Sequence, residues 1–419
     1  MNIQRVTSPG GIEAWLVESH ANPLIAMRFG FRGGSAQDPA GKEGLAYFVS
    51  GMMDEGAGDL DSVAYQEQLQ TLATRIDFDA GRDVMLGTVQ TLTENRDAAF
   101  NLLRLALTAP RFDVDATERV RAQILAGLIF DENDPETVAS LAWDRLAFEG
   151  HPYGRPIKGT TKAITDITPA DLNNYVKRIL GRDKLLISVV GDIDAKTLGA
   201  LLDHVFGSLP EKSSLTPVAD ANPPLGPTRE VITMDVPQSV AQFGHRGFQR
   251  KDADFMGAYV LNYIIGGGGF SSRLMEEVRE KRGLAYSVYS NLYPYEHGAV
   301  FVGNVATKNE EVGRSLRVIE DELRRLAERG PSAEELDAAK SYLTGAYALR
   351  FESSSSIANQ LLWMQIEDLG IDYVDQRNAA IEAVSLDDIR RVAKRLIEAD
   401  RLITTIVGKP VEHKANAPG

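Results

Sequence analysis

The sequence predicts an α+β protein with two homologous domains, each a mainly antiparallel sheet flanked by helices. A Pro-rich stretch divides the 419 residues into two segments of nearly equal length. Each segment begins with strand-like runs, continues with long helical patterns and ends in a strand, an order typical of α+β folds. The end of the first segment also recurs at the end of the second. A chain of this length is expected to form two to three compact units.

The predicted linker is residues 213–228. It contains four Pro and almost no periodic apolar pattern, which is typical of an extended connection. We therefore expect an N-terminal domain over residues 1–212 and a C-terminal domain over residues 229–419.

Strand-like runs open each predicted domain, and helical periodicity follows. The runs that predict strands are residues 13–18 and 24–29 in the first domain and 229–234 and 239–244 in the second. The patterns that predict helices are residues 63–72, 98–107, 116–130, 138–148, 312–328 and 333–348.

A helix start and a strand recur at one fixed offset. Thr168 and Ser385 are predicted N-caps, each followed three residues later by an Asp, which is a short-acid variant of the capping box. Ser385 lies 217 residues after Thr168, and Leu402 lies 217 residues after Leu185, where the two closing strands begin. The shared offset indicates an internal duplication.

The composition excludes several classes of function. With 43% hydrophobic and 25% charged residues, the chain is predicted to be a soluble globular protein. The formal charge of -14 argues against nucleic acid or an anionic membrane as a partner. No apolar run is long enough to span a bilayer. The N-terminus does not read as a signal peptide, but a chain in which Met replaced a cleaved signal peptide would look the same. The absence of Cys fits either the cytoplasm or the periplasm of a bacterium, so the compartment stays open.

The run from Gly44 to Met53 predicts a helix with an apolar stripe, but it lacks metal ligands. In the inverted zinc motif H-x-x-E-H, two His and one Glu share one helical face, so that the two imidazole rings hold a metal ion and the carboxylate activates the water bound to it. Tyr47, Ser50 and Gly51 occupy those three positions here. A phenol, a hydroxyl and a hydrogen atom cannot hold zinc at neutral pH, so we expect no metal in this chain.

This run resembles the motif of the pitrilysin and insulysin metallopeptidases, within which the chain is most similar to the two-domain processing-peptidase type. The resemblance covers nearly the whole chain and implies the same two-domain fold. In that family a Glu on a later helix is the third zinc ligand. The corresponding segment, residues 119–130, contains no acid. The resemblance therefore implies a degenerate zinc site.

The second domain keeps residues that the resemblance marks as functional. Residues 266–288 nearly match the C-terminal domain of the family. Members place an Arg and, seven residues later, a Tyr beside the zinc site, and Arg279 and Tyr286 have that spacing. The resemblance implies that the Tyr hydroxyl stabilises the oxyanion formed in peptide hydrolysis and that the Arg holds the substrate backbone.

Four consecutive Gly, residues 266–269, precede a predicted helix that Ser271 or Ser272 caps and Gly283 ends. They match neither phosphate-binding Gly motif, so a mobile or tightly turned loop is the better interpretation. By resemblance to the non-catalytic subunit of the processing peptidase, Gly267, Gly268 and Gly269 are candidate substrate contacts.

Three functions are compatible with this sequence. The first is the zinc-free subunit of a heterodimeric zinc metallopeptidase, in which a homologous partner with an intact H-x-x-E-H motif holds the zinc and Arg279 and Tyr286 complete its site. The alternatives are a structural, core-protein-like subunit without proteolysis and a peptide-binding module that works as a homodimer.

Overall fold

The computed structural model describes residues 1–224 and 226–411, so Leu225 of the predicted linker and residues 412–419 lie outside it. The strands are β1 (Gln4–Thr7), β2 (Glu13–Glu18), β3 (Leu24–Arg32), β4 (Arg75–Ala80), β5 (Val84–Leu92), β6 (Leu185–Gly191), β7 (Thr228–Thr233), β8 (Gln238–Arg246), β9 (Ala285–Tyr295), β10 (Gly298–Lys308) and β11 (Ile403–Gly408).

Helices make up most of the remaining regular structure. They are α1 (Leu45–Ser50), α2 (Ser62–Thr71), α3 (Arg96–Thr108), α4 (Val114–Asp131), α5 (Pro135–Ala147), α6 (Thr161–Asp166), α7 (Pro169–Ile179), α8 (Ala195–Phe206), α9 (Phe255–Asn262), α10 (Val312–Arg329), α11 (Ala333–Gly345), α12 (Ser354–Ile366), α13 (Tyr373–Glu382) and α14 (Leu386–Leu396). In residues 1–224 and 226–411, no helix is long and apolar enough to cross a bilayer.

The first compact unit is built on a six-stranded sheet in the order β1-β2-β6-β3-β5-β4. The strands β2 and β6 run parallel, and the other neighbours pair antiparallel. Apolar side chains from one face of this sheet join α1, α3, α4, α7 and α8 in a single core. Such a core forms because every second residue of a strand points to the same face of the sheet.

The second compact unit repeats this plan with five strands in the order β7-β11-β8-β10-β9. Here β7 and β11 run parallel, and the remaining pairs are antiparallel. The same sequence of directions occurs along β2-β6-β3-β5-β4 of the first unit, where β2 and β6 are the parallel pair. The closing strands also end alike, because Gly191 has φ of 144° and Gly408 has φ of 146°. The predicted fold class, two similar α+β parts with mainly antiparallel sheets, is confirmed.

Each compact unit includes a helix from the other half of the sequence. Among the described residues, the first unit comprises 1–128, 156–218 and 347–373, and the second comprises 129–155, 219–224, 226–346 and 374–411. Within the first unit, α12 packs on β3 and β6; within the second, α5 packs on β8 and β11. The sequence predicts two domains, residues 1–212 and 229–419, each continuous along the chain. These boundaries stay a prediction.

The duplicated helix starts have the capping geometry expected of them. The Thr168 hydroxyl accepts a hydrogen bond from the backbone N–H of Asp171, whose carboxylate accepts from the backbone N–H of Thr168. Ser385 and Asp388 form the same reciprocal pair at the start of α14. Each pair satisfies backbone donors that the first helical turn leaves free.

Candidate functional site

The helix α1 carries the degenerate motif on a well-packed core element. The predicted apolar stripe is buried: Leu45, Phe48, Val49 and Met52 are each at most 2% exposed. Tyr47 is half-buried, Ser50 is buried and Gly51 is exposed, at the C-terminal end of the helix. The helix predicted from the apolar spacing is therefore present.

The three motif positions do not fit a zinc ion. The Ser50 hydroxyl donates a hydrogen bond of 2.8 Å to the Tyr47 carbonyl oxygen, inside the helix itself. Gly51 has no side chain, and a neutral phenol or hydroxyl is a poor zinc ligand compared with imidazole, thiolate or carboxylate. In the described part of the chain, no three His, Cys, Asp or Glu side chains are grouped so that they could hold a metal ion.

The helix α4 includes the segment predicted to lack the third zinc ligand. Two of its Arg side chains contact α1 or the residues that follow α1. Arg119 binds Glu55 through two contacts, Nη1 to Oε1 at 3.0 Å and Nη2 to Oε2 at 2.5 Å. Burial acts to raise the pKa of Glu55, but hydrogen bonds from Arg119 and Ser62 lower that pKa below its ordinary value. Arg121 lies 5.1 Å from the Phe48 ring centroid. The ionised carboxylate of Glu55 is thus engaged in an ion pair.

A buried carboxyl group anchors the N-terminal end of α1. The Asp38 Oδ2 accepts from the Gly44 backbone N–H and Oδ1 accepts from that of Ala46, each at 2.9 Å. Burial raises the pKa of Asp38 to about 7, although these backbone donors act to lower it. Asp38 therefore supports the start of α1.

In the second unit, the Gly-rich loop packs tightly on the edge strand β9. A Cβ atom on Gly266 would lie 2.5 Å from the Ser290 backbone nitrogen, so only Gly fits there. Asn262 and Ser290 hold the two segments together: the Ser290 hydroxyl donates to Asn262 Oδ1 at 2.9 Å, and Asn262 Nδ2 donates to the Ser290 carbonyl at 3.2 Å. The loop is tightly turned at its start, as predicted.

The helical segments before and after Phe270 differ from a regular α-helix. Tyr263–Gly267, which contains the first two residues of the Gly run, and Met275–Glu280 both have the wider π-helical turn, which occurs often at functional sites. The Ser272 hydroxyl, a predicted helix cap, instead donates to the Gly269 carbonyl at 2.7 Å. The predicted end is present, since Gly283 has φ of 60° and its N–H donates to the Arg279 carbonyl.

Tyr286 lies at an irregular position of β9. Ser287 is opposite Ala306 and Ala285 is opposite Thr307, so Tyr286 has no partner residue on β10. A bulge of this kind redirects a side chain relative to regular alternation. The Tyr286 side chain is accordingly 77% exposed, whereas Val288, two residues further along, is buried.

The structure brings Arg279 and Tyr286 together. The Arg279 Cζ atom lies 4.9 Å from the centroid of the Tyr286 ring and 4.8 Å from that of Phe270. The other compact unit contains the degenerate motif positions Tyr47, Ser50 and Gly51. Phe270 directly follows the candidate substrate contacts Gly267, Gly268 and Gly269. The roles assigned to these residues stay a prediction.

Sequence reasoning missed Phe270. Its only signal is a large apolar residue at the end of a Gly run, which the structure leaves 69% exposed. Sequence reasoning also missed the bulge at Tyr286, because the bulge is defined by the pairing of β9 with β10, which the sequence of β9 alone does not give.

Comparison with known proteins places this geometry in a family. The model of the family described as insulinase (peptidase family M16) matches residues 16–161, and that described as the peptidase M16 inactive domain matches residues 166–343. The chain is 29% identical over 402 residues to a Helicobacter pylori protein named non-peptidase homolog YmxG, covering 95% of this chain and 92% of that one. It is 25% identical over 397 residues to a Mycobacterium bovis protein named an uncharacterized zinc protease, covering 94% and 90% respectively.

Solved structures agree with this result. The crystal structure of a peptidase M16 inactive domain from Pseudomonas fluorescens matches with a TM-score of 0.93 and 27% identity, over 99% of each chain. A protease structure from Helicobacter pylori matches in fold, with a TM-score of 0.88 and 19% identity over 97% of this chain and 99% of that one. The resemblance seen in the sequence is thereby confirmed, and the two family matches together span most of the chain. This protein belongs to the M16, or insulinase, family of peptidases, as a member without the zinc-binding residues of the H-x-x-E-H motif.

Proposed function

We propose that this chain is the zinc-free subunit of a two-subunit metallopeptidase. A homologous partner with an intact H-x-x-E-H motif holds the zinc, and Arg279 and Tyr286 of this chain complete the partner's site. The observation that carries the proposal is the contrast between the two units: Tyr47, Ser50 and Gly51 cannot bind zinc, whereas Arg279 and Tyr286 lie in contact and accessible to a ligand.

The accessible pair suits a polypeptide substrate. The Arg279 guanidinium carries five N–H donors, so it can donate to the backbone carbonyl oxygens of a bound peptide. The Tyr286 hydroxyl, on a ring that is 77% exposed, can donate to the oxygen that gains negative charge when a peptide carbonyl is attacked. The metal chemistry is supplied by the partner.

Mixing experiments test this proposal. The isolated chain is expected to bind no stoichiometric zinc and to cleave no peptide. Mixing it with the homologous chain that carries H-x-x-E-H should produce zinc-dependent cleavage of a fluorogenic peptide. We expect Tyr286→Phe to lower kcat by about 10²-fold, since it removes one oxyanion donor. Arg279→Ala should also lower the activity of the mixture.

Tyr293→Phe is the matched control, because Tyr293 is a partly exposed Tyr on the same strand, 41% exposed. It lies roughly 20 Å from Tyr286 along the strand, so its hydroxyl should not contribute. A mixture that is equally active with the Arg279→Ala and Tyr286→Phe double variant would contradict the proposal.

One observation favours a second candidate, a structural subunit without proteolysis. A relative that covers most of this chain is named a non-peptidase homolog. This function predicts stable association with another chain, measured by size-exclusion chromatography with light scattering, and no effect of Arg279 or Tyr286 on turnover. The same variants therefore distinguish the two candidates.

A further inference from the structure

The Arg279 guanidinium lies over two aromatic rings. Its Cζ atom is 4.8 Å from the Phe270 ring centroid and 4.9 Å from that of Tyr286. These distances lie within the range in which a cation is attracted to a ring face. As whole residues, Phe270 and Tyr286 are 69% and 77% exposed; the side chain of Arg279 alone is 27% exposed. The two rings therefore cover much of the guanidinium group in an otherwise open place.

The N–H edge of the guanidinium makes a long contact with Glu280. Its Nε lies 3.5 Å from Glu280 Oε1, longer than an ordinary charge-assisted hydrogen bond. An Arg that stacks through its faces keeps its N–H groups, which lie in the plane, free to donate. The arrangement thus restricts rotation of the Arg279 side chain and preserves its donors.

The Gly-rich loop fixes where Phe270 lies. At its start, Gly266 packs against Ser290 so closely that a Cβ has no room. At its end, the Ser272 hydroxyl donates to the Gly269 carbonyl, and Gly269 has φ of 58°. Gly readily adopts such a positive φ. The loop is thus held on both sides of Phe270, so this ring has a defined position although it faces solvent.

We propose that Phe270 is a positioning residue for Arg279. The rings of Phe270 and Tyr286 hold the guanidinium plane between them, so that its N–H edge is presented to carbonyl oxygens of an extended peptide. The peptide as ligand rests on the proposed function; the stacking by Phe270 does not. The loop of four Gly and one Phe is, on this view, the element that places Phe270 over Arg279.

Nuclear magnetic resonance of the isolated chain tests the stacking directly. The Arg279 Nε–Hε signal is assigned by its loss in Arg279→Lys. Because protons over a ring face are shifted upfield, Phe270→Leu should move this signal downfield, and Phe270→Tyr, which keeps a ring, should leave it near the wild-type position. Phe130→Leu is the matched control, since Phe130 is a 74% exposed Phe on α4, and it should not move the signal. An unchanged Arg279 signal in Phe270→Leu would overturn the proposal.

Kinetics of the mixed subunits tests the positioning. Phe270→Leu should lower kcat/KM about two- to fivefold, as expected for the loss of one exposed cation–π contact, and Phe270→Tyr should restore it. In the Arg279→Ala background, Phe270→Leu should cause no further loss, because the two residues act through one interaction. Independent, additive losses would show that Phe270 does not act through Arg279 and would overturn the positioning role.

The two measurements separate the two proposals. If the wild-type mixture cleaves nothing, the proposed function is wrong, and the resonance of the isolated chain still decides whether Phe270 holds Arg279. If the mixture is active and the Arg279 signal does not respond to Phe270→Leu, the proposed function stands and the inference about Phe270 is wrong.

Discussion

At Gly51, the backbone is compatible with a side chain. The residue has φ of −74° in the right-handed helical region, and a Cβ added there would lie 3.5 Å from the nearest atom, Val120 Cγ1, which is ordinary van der Waals contact. Tyr47, four residues earlier, is half-buried on the same helix. The helix therefore retains the geometry that two ligands at i and i+4 require. What the helix lacks is side-chain atoms that coordinate zinc at these two positions.

This geometry predicts the result of restoring two ligands. The variant Tyr47→His with Gly51→His should stay folded and gain weak zinc binding that the wild type lacks, because two imidazoles then share one helical face. Isothermal titration calorimetry with zinc measures the gain. The single variant Gly51→His is the control and should bind more weakly. If the double variant folds and binds no zinc, the helix does not present these positions on one accessible face.

The carboxyl group of Asp38 predicts a pH dependence of stability. Its pKa is raised to about 7 in the folded chain, above the ordinary value of an unfolded Asp. The folded state therefore holds a proton that the unfolded chain has already released, so stability falls as the pH rises from about 4 to about 7. Relative to Asp38→Asn, the wild type should lose about 2 kcal/mol of unfolding free energy between pH 5 and pH 8.

Urea unfolding at the two pH values measures this difference. Asp194→Asn provides a control of opposite sign: hydrogen bonds from Thr197 lower the pKa of Asp194, so its contribution is present at neutral pH and is lost as the pH falls below about 4. An Asp38→Asn variant with the same pH dependence as the wild type would exclude Asp38 as the cause.

At the scale of the elements, the contact between the Gly-rich loop and β9 predicts a large effect of one methyl group. Gly266→Ala would place a Cβ atom 2.5 Å from the Ser290 nitrogen and 2.6 Å from its hydroxyl oxygen, so the loop must move away from the strand. We expect a loss of about 1–3 kcal/mol in unfolding free energy, the usual effect of overpacking. Urea unfolding measures it.

Gly127→Ala is the control for this substitution. Gly127 lies within α4, and a Cβ there would have no neighbour within 4 Å. In a helix interior, Ala is more favourable than Gly by about 0.5–1 kcal/mol, so this variant should be more stable than the wild type. Equal effects of the two substitutions would mean that the loop is not packed on β9 as described.

Elements with strong local patterns were predictable from the sequence. The strand Glu13–Glu18 has the predicted bounds, the strand Leu185–Gly191 begins at the predicted residue, and both capping boxes lie at the predicted residues. The π-helical turn at Arg279 and the bulge at Tyr286 were not predictable, because both depend on contacts with neighbouring elements. The proximity of Arg279 and Tyr286 was inferred only by resemblance. Phe270 could not be connected with Arg279 until the loop path was known.

At the scale of the whole molecule, the duplicated plan is combined with an exchange of helices. Trp143 of α5 is fully buried, and its Nε1 donates to the Ile403 carbonyl of β11 at 2.9 Å. The Thr405 hydroxyl donates to the Ala139 carbonyl at 2.8 Å. In the first unit, the Ser188 hydroxyl donates to the carbonyl of Ala358 in α12 at 2.6 Å. Each sheet thus depends on a helix from the other half of the chain.

This exchange predicts that the two halves do not fold alone. A fragment of residues 1–212 lacks α12, so part of the sheet surface formed by β3 and β6 would be exposed, and its own α5 would lose the sheet on which it packs. A fragment of residues 229–419 lacks α5 and is incomplete in the same way. Near-ultraviolet circular dichroism of each fragment should show little fixed tertiary structure, and mixing the fragments should restore the spectrum of the full chain. Cooperative unfolding of either fragment by itself, with a native-like spectrum, would show that the exchanged helices are dispensable to the sheets they cover.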